Sequence, residues 1–475
     1  MTEDLERVAA GCLFPGFAGL VPSDELRSWV ERGLGGVVLF ARNVRDREQL
    51  AALTADLRAE RPDLLVAVDE EGGDVTRLEA AAGSSYPGNH ALGAVDDVEL
   101  TEQVAAAIGS DLAGVGINLD LAPVADVNTN PQNPVIGVRS FGADPELVAR
   151  HVAAFVSGLQ RVGAAACAKH FPGHGATQQD SHEELPTVSE GLEDALLPFR
   201  AAVDAGARCV MTAHIRVPQF GEAPATLNRE ILHSLLRDEL RFSGTVMTDA
   251  LEMRAVSATV GVEEGAVLAL AAGADALCLG HDLAPGSIHR ALIDAVRSSR
   301  LEEGRLREAA DRVSETARWA ARAAPDDGAR RDVGTLAARR ALDADGAVAL
   351  SRTPLVVELH PAPSIAAGQA GEGLGESLRA RLPATEVIRL HGTAADAASL
   401  LDGRAGRQLV ITLRDAHRHA WQRAVAEALL ARAGDGVVVE TGLPCWRPEA
   451  PAGYVATYGA GRVNLDAAAA LLANE

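Results

Sequence analysis

Along the first two-thirds of the chain, short runs of β-branched and apolar residues alternate with longer stretches of helical periodicity. Strand candidates fall at 36–40, 64–69, 117–123, 164–170, 209–214, 245–249 and 276–280, and helix candidates at 46–59, 101–113, 145–161, 192–205 and 229–237. Strands that alternate with helices form βαβ units, which pair in parallel and carry their helices outside the sheet. About eight such units in roughly 300 residues fit a (β/α)8 TIM-type barrel better than an open sheet. No GxGxxG follows the first strand candidate and no GxxxxGK[ST] occurs, so neither a dinucleotide fold nor a P-loop is supported.

The tract 322–340, with PDDG at 325–328 and several arginines, reads as a linker. A second αβ pattern follows, with strand candidates at 355–359, 386–390, 409–413 and 436–440 and helical stretches at 373–382, 416–433 and 464–474. We therefore expect a barrel over 1–322, a linker over 323–340 and a smaller α/β domain over 341–475.

Charge excludes some partners. The 475 residues carry 66 acidic and 44 basic side chains, a formal net charge of −22. Binding to nucleic acid or to anionic membranes needs basic patches, so neither is expected. The five cysteines, Cys12, Cys167, Cys209, Cys278 and Cys445, are widely spaced and odd in number, and read as free, mostly buried thiols. The acidic start MTEDLERVAAG has no basic region followed by an apolar stretch, which argues against a signal peptide. The apolar tract 265–280 is interrupted by Asp275 and is too short to span a bilayer. The expectation is a soluble cytoplasmic protein without membrane insertion; its oligomeric state is left open.

Polar residues gather where the strand candidates end: Asp69, Asp120, Asp126, Lys169, His170, His214 and Asp249. In a (β/α)8 barrel the C-terminal ends of the strands form the active-site face. Lys169 stands out further, because it is the sole lysine in a chain whose other basic residues are all arginine. An ammonium is a compact point charge and a guanidinium a planar fork, so the exception carries chemical meaning.

Three segments carry the chemistry: KHFPGHG at 169–175 with DSH at 180–182, VMTDALEM at 246–253, and DEEGGD at 69–74 continuing to Arg77. With GGVVLFARN at 35–43, LAPVADVN at 121–128 and NPVIGVRSFG at 133–142, they make the chain resemble glycoside hydrolase family 3, in its β-N-acetylglucosaminidase branch. The resemblance covers most of residues 1–320. The tail, through YGAGRVN at 458–464, is similar to the second domain of two-domain members, though less distinctively.

The resemblance implies a retaining exo-glycosidase acting on terminal GlcNAc, with cell-wall muropeptide fragments as substrates. Asp249 then corresponds to the nucleophile, and His182, supported by Asp180, to the acid/base. A histidine suits proton transfer near neutral pH. Asp69, Arg77, Arg139, Lys169 and His170 correspond to sugar ligands, and His214 is a further candidate that a packing role would equally explain. The chemistry requires no metal and no cofactor. The sequence departs from the family pattern at Glu70 and Asp74, expected to alter the rim of the site, and at Ala250, where many members repeat an aspartate. A phosphorylase using the same glycosyl-enzyme and a catalytically silent sugar-sensing module remain as rival readings.

Overall fold

In the computed structural model, which describes residues 2–181, 184–280, 284–322, 332–362, 373–392, 397–449 and 451–475, the chain separates into two units. The first comprises Met1–Glu70, Thr101–Ile136 and Ala143–Arg330; the second comprises Glu71–Leu100, Gly137–Gly142 and Arg331–Glu475.

The first unit is built on eight strands: β1 (Leu13–Pro15), β2 (Gly36–Leu39), β3 (Leu65–Val68), β4 (Leu119–Asp120), β5 (Ala165–Phe171), β6 (Cys209–Thr212), β7 (Thr245–Thr248) and β8 (Leu277–Leu279). Strands β2 to β7 pair in chain order, and β1 pairs with β8. All these pairings are parallel. Single parallel bridges, Gly16 to Val38 and Met247 to Ala276, link β1 with β2 and β7 with β8, so the strands close into the expected ring. Seven of the eight were legible as apolar runs. The three residues of β1 are too few to register as a period.

Inward-facing residues from alternate strands fill a barrel in layers. Here Phe14, Leu65, Leu119, Cys167, Met211, Met247 and Cys278 belong to one buried cluster. Burial pushes the Cys167 and Cys278 thiols well above the usual range, so they pack as small neutral hydrophobes. Cys12 and Cys209 are also buried and free, whereas Cys445 is exposed. The surrounding helices begin where the sequence supplies caps. Asp46 Oδ1 accepts from Gln49 N at 2.8 Å ahead of Arg47–Glu60, and Asp144 caps Pro145–Arg161, whose first residue is proline.

The second unit holds β9 (Asp343–Gly346), β10 (Pro354–Leu359), β11 (Glu386–Leu390), β12 (Gln408–Leu413), β13 (Val437–Glu440) and β14 (Gly453–Ala456), in the order β11-β10-β12-β13-β14-β9. Only β9 runs antiparallel. Successive side chains of a strand point to opposite faces. Accordingly Leu355, Val357 and Ile411 pack with Leu429 on one face, while Val356, Val410 and Val439 pack with Leu378 and Leu465 on the other. A sheet covered on both sides reads as continuous apolar runs. The sequence did not announce β9, whose four residues DADG are exposed and polar. Within the stretch read as a linker, Val333–Ala341 forms a helix whose Ala338 packs on Val463 and Ala467. Among the described residues no helix is long and apolar enough to cross a membrane.

Candidate active site

Parallel strands deliver the residues that follow them to one end of the barrel. Asp69 follows β3, Asp120 ends β4, Lys169 and His170 lie near the C-terminal end of β5, His214 follows β6 and Asp249 follows β7. The Lys169–His170 and Phe171–Pro172 peptide bonds are cis, and the pairing of β5 with β6 shifts register between Ala168 and Phe171.

Lys169 Nζ donates to Asp69 Oδ1 at 2.7 Å, with the lysine side chain 2% and the aspartate 20% exposed. A buried ammonium is tolerated when a carboxylate and hydrogen bonds replace its water. Asp120, fully buried between them in chain order, accepts Glu70 N through Oδ1 at 3.0 Å. Its Oδ2 has no hydrogen-bond partner among the described residues. Burial pushes this carboxyl well above the usual carboxylate range, against the Glu70 N–H and the Lys169 charge. Glu70, expected at the rim, is itself buried.

His170 is held by a different carboxylate. Its Nδ1 donates to Asp126 Oδ2 at 2.7 Å, so the hydrogen sits on Nδ1 and Nε2 remains as the ring's other polar atom. Asp126 Oδ1 also accepts His174 N at 2.6 Å, which ties the turn after β5 to a residue with no exposure at all. Gly175 completes that turn; a Cβ there would lie 1.9 Å from Val127 O.

His174 then holds the next loop. Its Nδ1 bonds Thr177 Oγ1 at 2.9 Å and its Nε2 bonds Ser181 Oγ at 3.0 Å. Asn133 Nδ2 donates to His174 O at 2.9 Å and to Thr177 Oγ1 at 3.2 Å. Burial lowers the His174 pKa to about 4, so the ring is neutral. Asp180 is half-buried, and its backbone carbonyl accepts Glu184 N at 3.0 Å. His182, the expected acid/base, lies outside the described residues.

Asp249 is half-buried at the end of β7, and its Oδ1 accepts Ala250 N at 2.8 Å. His214 supports the same turn: its Nε2 donates to Ala250 O at 3.0 Å, and its Nδ1 bonds Thr226 Oγ1 at 2.7 Å. Both ring nitrogens of His214 are thus bonded to protein. Arg77 and Arg139 belong to the second unit, where Arg139 makes a two-pronged pair with Glu71, Nε to Oε2 at 2.9 Å and Nη2 to Oε1 at 2.8 Å. Sequence reasoning assigned no role to His174, Thr177, Ser181 or Asn133. The repeated histidine of the KHFPGHG run was the one available signal.

The arrangement offers a half-buried carboxylate, a buried ammonium–carboxylate pair and an imidazole oriented by a carboxylate, all on one end of a barrel. Such a set can hold sugar hydroxyls and supply a nucleophile. No group of three His, Cys, Asp or Glu side chains fit to hold a metal ion occurs among the described residues.

Comparison with known proteins agrees in kind. Residues 4–316 match the model of the glycosyl hydrolase family 3 N-terminal domain. A beta-hexosaminidase of Bordetella avium is 38% identical over 270 residues, covering 54% of this chain and 77% of that protein. Beta-hexosaminidase A of Pseudoalteromonas piscicida is 37% identical over 279 residues, 53% of this chain and only 46% of that longer protein. A glycoside hydrolase family 3 beta-N-acetylglucosaminidase from Paenibacillus sp. str. FPU-7 superposes with a TM-score of 0.88 at 33% identity, over 99% of this chain and 96% of that one.

Proposed function

The chain belongs to glycosyl hydrolase family 3, and on that premise we propose that it is a retaining exo-β-N-acetylglucosaminidase that removes GlcNAc from the non-reducing end of its substrates. The observation that carries the reading is the grouping of Asp249, Lys169 with Asp69, and His170 with Asp126 at the C-terminal ends of β7, β5 and β3 and in the segment after β4. Support for the substrate class comes from the names of the relatives.

In this reading Asp249 attacks the anomeric carbon, the C–O bond to the aglycone breaks, and a covalent glycosyl-enzyme forms. His182 protonates the departing oxygen, and Asp180 stabilises its cationic ring. Water, deprotonated by His182, then displaces Asp249 with a second inversion, so the anomeric configuration is retained. Lys169, Asp69 and His170 hold sugar hydroxyls, and Lys169 adds positive charge that favours the ionised nucleophile. Arg77 and Arg139 are further sugar ligands. Muropeptide fragments of the cell wall are the proposed source of substrate.

The test is product analysis on p-nitrophenyl β-GlcNAc with and without phosphate. Release of β-GlcNAc in both buffers supports the hydrolase. GlcNAc-1-phosphate as the main product would turn the reading to a phosphorylase, and absence of turnover to a sugar-sensing module.

A further inference from the structure

Asp74 stands where the resembling family pattern carries an arginine, and the structure gives it a partner far along the chain. Asp74 Oδ2 accepts from Arg414 Nη2 at 2.5 Å, with the aspartate side chain 6% exposed. Its Oδ1 accepts Ala460 N at 2.6 Å, just ahead of the helix Arg462–Leu472. Arg414 follows β12 and Ala460 lies beyond β14, so both come from the carboxyl end of the second unit's parallel sheet.

The segment that Asp74 anchors is a tight turn, also held by Gly73 N, which donates to Tyr86 O at 2.8 Å. Glu71 N donates to Val75 O at 3.0 Å, and Val75 N to Gly72 O at 3.2 Å. Gly72 and Gly73 have φ of +78° and +57°, a region that side chains disfavour. A Cβ on Gly73 would meet Gly88 N at 2.6 Å, and one on Gly461 would meet Gly73 Cα at 2.9 Å, so the turn lies backbone-to-backbone on the 458–462 stretch. Beside it, Arg462 Nη2 donates to Ser85 Oγ at 2.5 Å, and Val463 N to Ser84 O at 3.1 Å.

This turn begins at Glu71, which holds the guanidinium of Arg139, and runs on to Arg77. We infer that Arg414 is a positioning residue for sugar binding: through Asp74 it fixes the glycine turn, and through that turn it sets Arg77, Glu71 and the fork of Arg139. The inference rests on the proposed reading of Arg77 and Arg139 as sugar ligands. It gives the C-terminal α/β domain a task in the reaction, that of clamping the turn, without contributing a group to the chemistry. A charge-assisted bond to a largely buried aspartate, 6% exposed against 27% for the arginine, suits such a clamp.

The experiment is a double-mutant cycle in the 475-residue chain with Asp74→Asn and Arg414→Ala, read by steady-state kinetics on p-nitrophenyl β-GlcNAc and by thermal midpoint. Loss of binding that is equal in ground and transition states raises KM and leaves kcat alone. Each single variant should raise KM by about tenfold with kcat within about twofold, and the double variant should match the singles rather than their product. Asp74→Asn keeps the size of the side chain and its acceptor for Ala460 N, so it carries the test should Arg414→Ala fail to fold. Unchanged KM in a folded Asp74→Asn, with or without a lower thermal midpoint, would overturn the inference. Arg139→Ala, measured alongside, separates the two levels. If it raises KM while the clamp variants do not, the positioning role alone falls; if it does not raise KM, the sugar-ligand reading falls and the inference with it.

Discussion

Lys169 Nζ donates to Asp69 Oδ1 at 2.7 Å, joining the ends of β5 and β3 across the intervening strand β4. The ammonium is a compact donor set in a buried position, and a planar guanidinium is larger and directional. Lys169→Arg should therefore lower kcat/KM on p-nitrophenyl β-GlcNAc by about 100-fold, although arginine is the chain's habitual cation. Lys169→Met should lose at least as much activity, and some stability as well, because it removes the ammonium from beside the Asp69 carboxylate. Wild-type kcat/KM in a folded Lys169→Arg would show that any cation serves and that the unique lysine is an accident of composition.

Asp249 sits half-buried, fixed by the N–H of its own neighbour Ala250. Asp249→Asn keeps an acceptor for that N–H and the size of the side chain while removing the proposed nucleophile. Turnover should fall by a factor on the order of 1,000 or more, with the unfolding midpoint close to wild type. A fluorinated GlcNAc inactivator should leave its sugar on Asp249. Peptide mapping of the label to another carboxylate would reassign the nucleophile.

How far these residues were legible in advance follows from where their partners lie. The barrel strands announce themselves because both of their faces are buried, and Asp249, Lys169 and His170 because they follow such runs within recognisable motifs. The partners of these groups are set by topology instead. His170 and its Asp126 are 44 residues apart, and Asp74 and its Arg414 are 340 apart. No local pattern couples such pairs. Asp74 and Glu70 accordingly read as substitutions that alter the rim, whereas one anchors a distant arginine and the other is buried. His174 read as part of a motif without a task, since Thr177 and Ser181, which bond its ring, are polar loop residues like any others.

The same histidine sets a pH dependence of stability. Burial holds His174 neutral with a pKa lowered to about 4, from an ordinary value of 6.5. Between those values the unfolded chain binds a proton that the folded chain does not. Stability therefore rises with pH across this window, and falls on acidification by about 1.4 kcal/mol per pH unit. Above the upper value the contribution is constant. Urea unfolding at pH 5 and pH 7 should show the loss in the wild type. His174→Gln should be less stable at pH 7 but show a flatter slope between the two. An identical slope in both proteins would assign the acid sensitivity to other groups.

His182 as the acid/base makes a demand that no loop-holding role would meet, because the two chemical steps need it differently. The first step needs a protonated His182 when the leaving group is poor, and the second needs it as a base whenever water is the acceptor. His182→Ala should therefore slow an alkyl or sugar glycoside by about 100-fold or more, while the first step on an activated aryl glycoside changes little. On the aryl substrate the glycosyl-enzyme should then accumulate. Azide, a nucleophile that needs no base, should restore turnover and yield the β-azide. Asp180→Ala should follow the same pattern more weakly, since in the proposed reading it removes the group that supports the ring and leaves the ring. Ser181→Ala, which deletes the hydroxyl bonded to His174 Nε2 at 3.0 Å, supplies the contrast: a loop effect should slow both substrates alike and give no azide product. If His182→Ala behaves as Ser181→Ala does, His182 holds the loop and another group moves the proton.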